Sequence, residues 1–250
     1  MPPRQKLIRL VIVLPLVAAC FYFFFVAPAR SAVIHLAYAP IQFKNYPAQT
    51  PTPTIGPNSV FVLDSDSSYT NSIGVHILGE VFNNTPYDLA YVGVRANLYN
   101  STGKYLTSDW TYPMATNLAS GQKTCFDLTI DSPPDSWRSY DFGIVSYEIG
   151  QGPPAGLALL SINKEYDPAS GHLTLDGEIK NNSSGTINMV KAVGTLYRVG
   201  GKVVGCSSEY ISGINLAAGK KSTYRIEYSD RNYSNVTDFR VQVDGIPVKP

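Results

Sequence analysis

Gly177-Glu178-Ile179-Lys180-Asn181-Asn182 is a second copy of Gly79-Glu80-Val81-Phe82-Asn83-Asn84, displaced by 98 residues, from 79 to 177. The same displacement carries Leu98-Tyr99 onto Leu196-Tyr197 and Gly103-Lys104 onto Gly201-Lys202. It also carries Leu118 and Gly121 onto Leu216 and Gly219. A spacing held constant over some forty residues marks a duplicated segment. The chain of 250 residues therefore divides into repeat one (59–149), a linker (150–156) and repeat two (157–250). Each repeat, at about ninety residues, is long enough to bury a core of its own.

Outward from that stretch the pattern is that of strands. Val92, Val94, Ala96 and Leu98 alternate with Gly93, Arg95, Asn97 and Tyr99. A period of two with one apolar face describes a half-buried strand. Val190, Ala192, Gly194 and Leu196 do the same in the copy. Thr124, Phe126, Leu128 and Ile130, with Tyr224 and Ile226 in repeat two, form a later inward-facing set. Turn signals separate the runs, as at Asn100-Ser101-Thr102-Gly103. The spacing predicts strands near 60–63, 75–82, 90–99, 104–112, 123–130 and 140–149, and no stretch after the N-terminal segment shows helical periodicity. The fold class expected is all-β: two tandem antiparallel immunoglobulin-like β-sandwiches, preceded by one N-terminal transmembrane helix.

That helix is read from Leu10–Ala29, twenty residues without a charge behind Arg4, Lys6 and Arg9. Such a run can cross a bilayer. The basic tail 1–9 keeps the N-terminus cytoplasmic and sends the rest outside. Three readings of 10–29 stand: an uncleaved signal anchor, a signal peptide cleaved near Ala27-Pro28-Ala29, and a lipoprotein at Val17-Ala18-Ala19-Cys20. All three place the repeats outside the cytoplasm, on the cell surface or in a periplasm. Residues 30–58, with Pro40, Pro47, Pro51, Pro53 and Pro57, read as an extended stalk.

The net charge of +1 excludes a general nucleic-acid binder. Repeat one carries four basic and ten acidic groups and repeat two eleven and nine, without a block of like charge. Cys125 and Cys206 fall one in each repeat at non-matching positions, so an antibody-type bridge within either repeat is excluded. A Cys125–Cys206 bridge across the repeats is conceivable but has nothing to recommend it, and the expectation is two unpaired thiols. His35, His76 and His172 share no ligand spacing, Asp64-Ser65-Asp66 reads as a loop, and no nucleophile elbow or phosphate loop appears. The chain is thus read as non-enzymatic, without metal or cofactor. Glu80 and Glu178 are placed on an outward face beside a turn. Asn83, Asn100, Asn181, Asn182, Asn232 and Asn235 fit Asn-x-Ser/Thr.

Core positions should be shared between copies, yet Trp110 maps onto Ser208 and Trp137 onto Asn235. With Tyr112 and Tyr140 these tryptophans form a candidate platform for a sugar ring or a partner protein. The alternative is packing against the linker or the other repeat.

Gly-Glu-x-x-Asn-Asn, the Leu-Tyr strand, Gly-Lys and Leu-x-x-Gly together resemble the FxLyD domain family across nearly all of both repeats. Ala96 and Gly194 stand where that family's name asks for Phe, and Asn100 and Arg198 where it asks for Asp. The resemblance implies immunoglobulin-like sandwiches on bacterial or archaeal surface or membrane-attached proteins, with no catalytic residues. The expected function is protein binding, adhesion or cell-envelope scaffolding. The rival is a carbohydrate-binding accessory module. The expected partners are the lipid bilayer through the N-terminal helix and another surface protein or glycan, with no nucleic acid.

Overall fold

Alternation in the sequence becomes two-layered β structure because each apolar face needs a cover. The computed structural model describes residues 58–248. The expected membrane segment and the expected stalk up to Pro57, with Cys20 and His35, lie outside the described residues. Repeat one contributes β1 (Val60–Val62), β2 (Ser67–Thr70), β3 (Gly74–Asn83), β4 (Leu89–Asn100), β5 (Tyr105–Thr111), β6 (Asn117–Leu118), β7 (Lys123–Asp131) and β8 (Trp137–Ile149). Repeat two contributes β9 (Leu157–Leu159), β10 (Asn163–Tyr166), β11 (Leu173–Asn181), β12 (Ile187–Arg198), β13 (Val203–Tyr210), β14 (Lys221–Tyr228) and β15 (Val236–Pro247). The described residues are all-β, without a helix, and every strand pair is antiparallel. β4 and β12 differ by the 98-residue displacement at both ends.

In repeat one, β3 is flanked by β7 on one edge and by β1 and β2 in succession on the other. The second layer is β5-β4-β8, with β6 on β4. Val75, Ile77 and Val81 of β3, Val94 and Leu98 of β4, and Phe126 and Leu128 of β7 close one core between the layers. Repeat two builds the same pair, β9 and β10 with β11 and β14 against β13-β12-β15. Its core holds Leu175, Ile179, Val190, Leu196, Tyr224 and Ile226.

The quoted Asn-Asn stretch is held the same way twice. Asn83 is fully buried; its Nδ2 donates to the carbonyls of Tyr87 (2.8 Å) and Leu118 (2.9 Å), and its Oδ1 accepts from the Thr85 hydroxyl at 2.7 Å. Asn181 donates to the carbonyls of Gly185 and Leu216, both at 2.8 Å, and accepts from Ser183 at 2.6 Å. Gly121 and Gly219, at φ +75° and +71°, each donate to the carbonyl of that asparagine at 2.8 Å. A left-handed residue is needed there, and glycine takes it without steric penalty. The shared Asn and Leu-x-x-Gly are thus one buried corner joining the two layers.

The two repeats stack. The outer face of β2, β3 and β7 lies against the outer face of β12, β13 and β15. Leu78 and Cys125 from one side and Val193, Val203 and Cys206 from the other form a third buried cluster, and the described residues fall within one compact unit. Cys125 and Cys206 are joined by a disulfide, with their Cα atoms 5.8 Å apart, which corrects the expectation of two unpaired thiols. The non-matching positions are what a head-to-tail stack requires. Cys125 lies beside Glu80 on the outer face of one layer, and Cys206 lies beside Thr195 on the outer face of the other kind of layer.

Glu80 is corrected as well. It is fully buried in the seam, paired with Lys123 at 2.7 Å and Arg240 at 3.4 Å, and accepts the Tyr197 phenol at 2.7 Å. Its copy Glu178 keeps the copied partner, Lys221, at 3.3 Å but remains about half exposed. Asp244, also buried, accepts the Thr116 amide at 2.6 Å and the Asn117 amide side chain at 2.9 Å across the same seam.

Candidate functional site

Stacking covers one outer face of each repeat and leaves the other open. In repeat two the covered face is a grid of cross-strand rows: Ser208, Val193 and Gln242; Cys206, Thr195 and Arg240; Val203, Tyr197 and Asp238. The same rows in repeat one are Trp110, Arg95 and Gly143; Ser108, Asn97 and Asp141; Tyr105, Tyr99 and Ser139. Among the described residues no seam covers this second grid. Arg95, Tyr105, Trp110 and Asp141 are exposed, and Asn97, Tyr99, Ser108 and Gly143 are partly so.

Alternation on β4 decides what faces out. Val94, Ala96 and Leu98 go to the core, so Arg95, Asn97 and Tyr99 go to the surface. A polar network ties the middle row. Asn97 Nδ2 donates to Asp141 Oδ1 at 2.7 Å, and the Tyr99 phenol donates to Asp141 Oδ2 at 2.9 Å. The hydrogen bond to Asp141 raises the Tyr99 pKa, because ionising the phenol would forfeit it beside a carboxylate. The Tyr105 phenol donates to the Ser108 hydroxyl at 3.1 Å. A Cβ added at Gly143 would meet nothing within 4 Å, so the surface beside Arg95 is flat and open.

Aromatic rings close both ends of the grid. Tyr99 and Tyr105 meet edge to face with centroids 6.1 Å apart. At the other end Trp110 meets Tyr112 at 5.1 Å, and Tyr112 meets Tyr91 at 6.2 Å, also edge to face. Tyr91 is turned outward by a bulge in β4, where it takes φ +51°. Its copy Met189 takes φ +49° at the same bulge of β12. A β-bulge re-aims a side chain in this way.

Of the four residues of the sequence-derived platform, Trp110 and Tyr112 come together here, both about half exposed. Trp137 and Tyr140 do not join them. Both pack against the repeat-one core from β8, on the opposite edge of β4 from β5. Tyr140 donates to Asp66 at 2.6 Å; burial first, and that bond second, raise its pKa. The counterpart of Trp137 is Val236, which pairs with Arg198 as Trp137 pairs with Asn100 and packs against the repeat-two core. The displacement has grown to 99 residues there, from 137 to 236, so a spacing of 98 sets Trp137 against Asn235. Sequence reasoning missed Tyr91, Arg95, Asn97, Tyr99 and Asp141. The outward phase of β4 held the signal for Arg95, Asn97 and Tyr99, whereas Tyr91 depends on the bulge and Asp141 on register.

Asp66 is committed to Tyr140, and the Asp64 carbonyl accepts from Lys202 Nζ at 2.8 Å. Among the described residues no group of three or more His, Cys, Asp or Glu side chains is placed to hold a metal. Asn83 and Asn181, although they fit the glycosylation pattern, have both Nδ2 hydrogens engaged inside the protein. Their Ser/Thr partner serves the corner.

No protein-family model and no curated protein matches this chain. Among solved structures, an exo-chitosanase of Amycolatopsis orientalis is similar at 14% identity, covering 73% of this chain and 25% of that one, with a TM-score of 0.26. A red sea bream transglutaminase is similar at 10% identity, over 73% of this chain and 29% of that one, with a TM-score of 0.27. A complex of the same exo-chitosanase with PNP-β-D-glucosamine gives 14%, 72%, 25% and 0.25. The chain spans less than a third of these proteins' length, and likeness at this level bears on neither activity nor ligand.

Proposed function

We propose that the chain is a non-enzymatic, membrane-anchored protein whose two FxLyD-like, immunoglobulin-like modules stand outside the cytoplasm and act in binding, adhesion or envelope scaffolding. The open grid of β4, β5 and β8 is its ligand surface. One observation carries this: the equivalent grid of repeat two is a contact surface already in use, and repeat one presents the same grid uncovered, with Trp110, Tyr99 and Tyr105 exposed or partly exposed on it. Exposed aromatic side chains supply large contact area at small entropic cost. The interrepeat disulfide fits an oxidising compartment, and the charge-free run 10–29 supplies the anchor.

The full chain, reconstituted in liposomes with the repeats outward, tests the proposal by co-sedimentation with cell-envelope fragments. Retention that falls in Trp110→Ala supports the face as ligand surface. Retention equal to that of the parent chain removes it. Extraction of native membranes with alkaline carbonate tests the anchor, which predicts that the chain stays in the pellet. A second reading, a carbohydrate-binding accessory module, is favoured by the pairing of Trp110 with Tyr112 at 5.1 Å.

A further inference from the structure

The molecule contains its own standard for a protein-binding version of this face. Covered by repeat one, the repeat-two grid centres on Val193, Val203 and Cys206, which meet Leu78 and Cys125. At the matching positions the open grid has Arg95, Tyr105 and Ser108. It holds no aliphatic side chain in any of its three rows. Aliphatic burial drives the internal contact, so a protein partner of the same kind would meet nothing to bury here except rings.

Rings interleaved with planar hydrogen-bonding groups fit a different chemistry. A pyranose ring with equatorial substituents has an apolar C–H face for stacking and a rim of hydroxyls. Trp110 at one end and Tyr99 with Tyr105 at the other supply the aromatic surfaces. Between them Asn97 and Asp141, fixed against each other at 2.7 Å, offer a carboxamide oxygen and carboxylate lone pairs. Arg95 is exposed and holds no ion pair among the described residues, leaving its five N–H donors available. Four residues of β4 separate the Tyr99 row from the Arg95 row, about 13 Å of strand. That span exceeds one sugar ring. Gly143 keeps the third strand flat where a side chain would stand in the way.

We infer that the outer face of β4, β5 and β8 binds an extended glycan of β-linked, equatorially substituted hexopyranose units, lying from Tyr99 and Tyr105 to Trp110. This rests on the reading of that face as the ligand surface. The face carries one charge of each sign, Arg95 and Asp141, so the recognised chain is neutral.

The full chain in nanodiscs is titrated calorimetrically with soluble β-1,4-linked glucose and N-acetylglucosamine oligosaccharides. An α-linked maltooligosaccharide serves as the curved control and heparin as the anionic one. The expected result is binding of at least one β-linked probe, little affected by added salt. Trp110→Ala should weaken it about tenfold, the size of one lost aromatic contact. Gly143→Thr, which raises a wall without removing a contact, should weaken it comparably, and neither variant should lower the melting temperature. Failure of every β-linked probe overturns the inference, as does binding of heparin alone with steep salt dependence, or binding unchanged in both variants. Envelope fragments stripped of glycan separate the two levels. If Trp110→Ala still reduces retention on stripped fragments, the glycan falls and the ligand surface stands. If it changes retention on neither preparation, both fall.

Discussion

Glu80 of β3 accepts a 2.7 Å hydrogen bond from the phenol of Tyr197 of β12, across the boundary between the repeats. Its copy Glu178 has no such neighbour among the described residues and stays half exposed, although both keep the duplicated lysine. The same two-residue device therefore sits in two environments. Glu80→Ala should destabilise by about 3 kcal/mol, because Lys123, Arg240 and Tyr197 are left facing an empty buried site. Glu178→Ala should stay within about 0.5 kcal/mol, as exposed pairs do. Urea unfolding of the two variants measures both, and equal losses would contradict the assignment of Glu80 to the seam.

The disulfide closes a sequence separation of 81 residues across that seam. In the chain-entropy account a loop of this size contributes about 4.5 kcal/mol, an upper figure. Cys125→Ser and Cys206→Ser should each lower stability by a similar amount, and the double variant by little more, because all three remove one bond. Both sulfurs are buried, so thiol labelling of the native chain should stay near zero until reductant and denaturant are added together.

Asn83 and Asn181 should be equally sensitive, since they make the same bonds in the two repeats. Each Asn→Ala variant removes the two bonds donated by Nδ2 and the two accepted by Oδ1. The Thr85 and Ser183 hydroxyls still reach the carbonyls of Tyr87 and Gly185, and each variant should destabilise by about 1–2 kcal/mol. In a glycosylating host, peptide mapping of folded protein should find neither asparagine modified. A glycan on Asn83 would show that the corner opens.

How far the chain could be read from its sequence follows from what a duplication carries. Strand phase is local, so the inward sets around Val94 and Phe126 were legible, and with them the all-β class. The stack was not legible. Which outer faces meet depends on residues that differ between the copies, Leu78 against Asp176 and Val193 against Arg95, and a repeat search discards such differences. For that reason Cys125 and Cys206 read as unrelated, and Glu80 as a surface residue. The platform was half legible. Trp110 lies on β5 and Tyr112 directly after its end, but Trp137 and Tyr140 enter from the other edge of β4, and only register shows this.

Asp230 joins the repeats at the far end of the seam. It accepts from the Tyr69 phenol at 2.8 Å and from Tyr233, with the Arg231 guanidinium 4.0 Å away. Burial pushes its pKa up, but these bonds and the Arg231 charge outweigh burial and hold it below the ordinary value. Asp127 is the like charge nearby, its own pKa raised chiefly by burial, against the opposing pull of His76 at 3.1 Å. A depressed carboxylate stabilises the fold above its unfolded pKa of about 3.9. That contribution is lost as pH falls through the folded value. Asp230→Asn should therefore be less stable than the parent chain near neutrality, with the gap closing below about pH 4. A gap independent of pH would assign the loss to packing instead.

The two tryptophans provide an optical check on which face of repeat one is open. Trp110 is 47% exposed on the outer face of β5, whereas Trp137 packs against the core. In Trp110→Phe the remaining emission, from Trp137, should be blue-shifted and weakly quenched by acrylamide. In Trp137→Phe the emission of Trp110 should be red-shifted and strongly quenched. Stability should divide the same way. Trp137→Ala should destabilise by about 2–3 kcal/mol, less than a fully buried ring because part of it is already in water. Trp110→Ala should stay within about 0.5 kcal/mol. If the order were reversed, the open grid would be a covered one, and both the ligand surface and the glycan assigned to it would have to be given up.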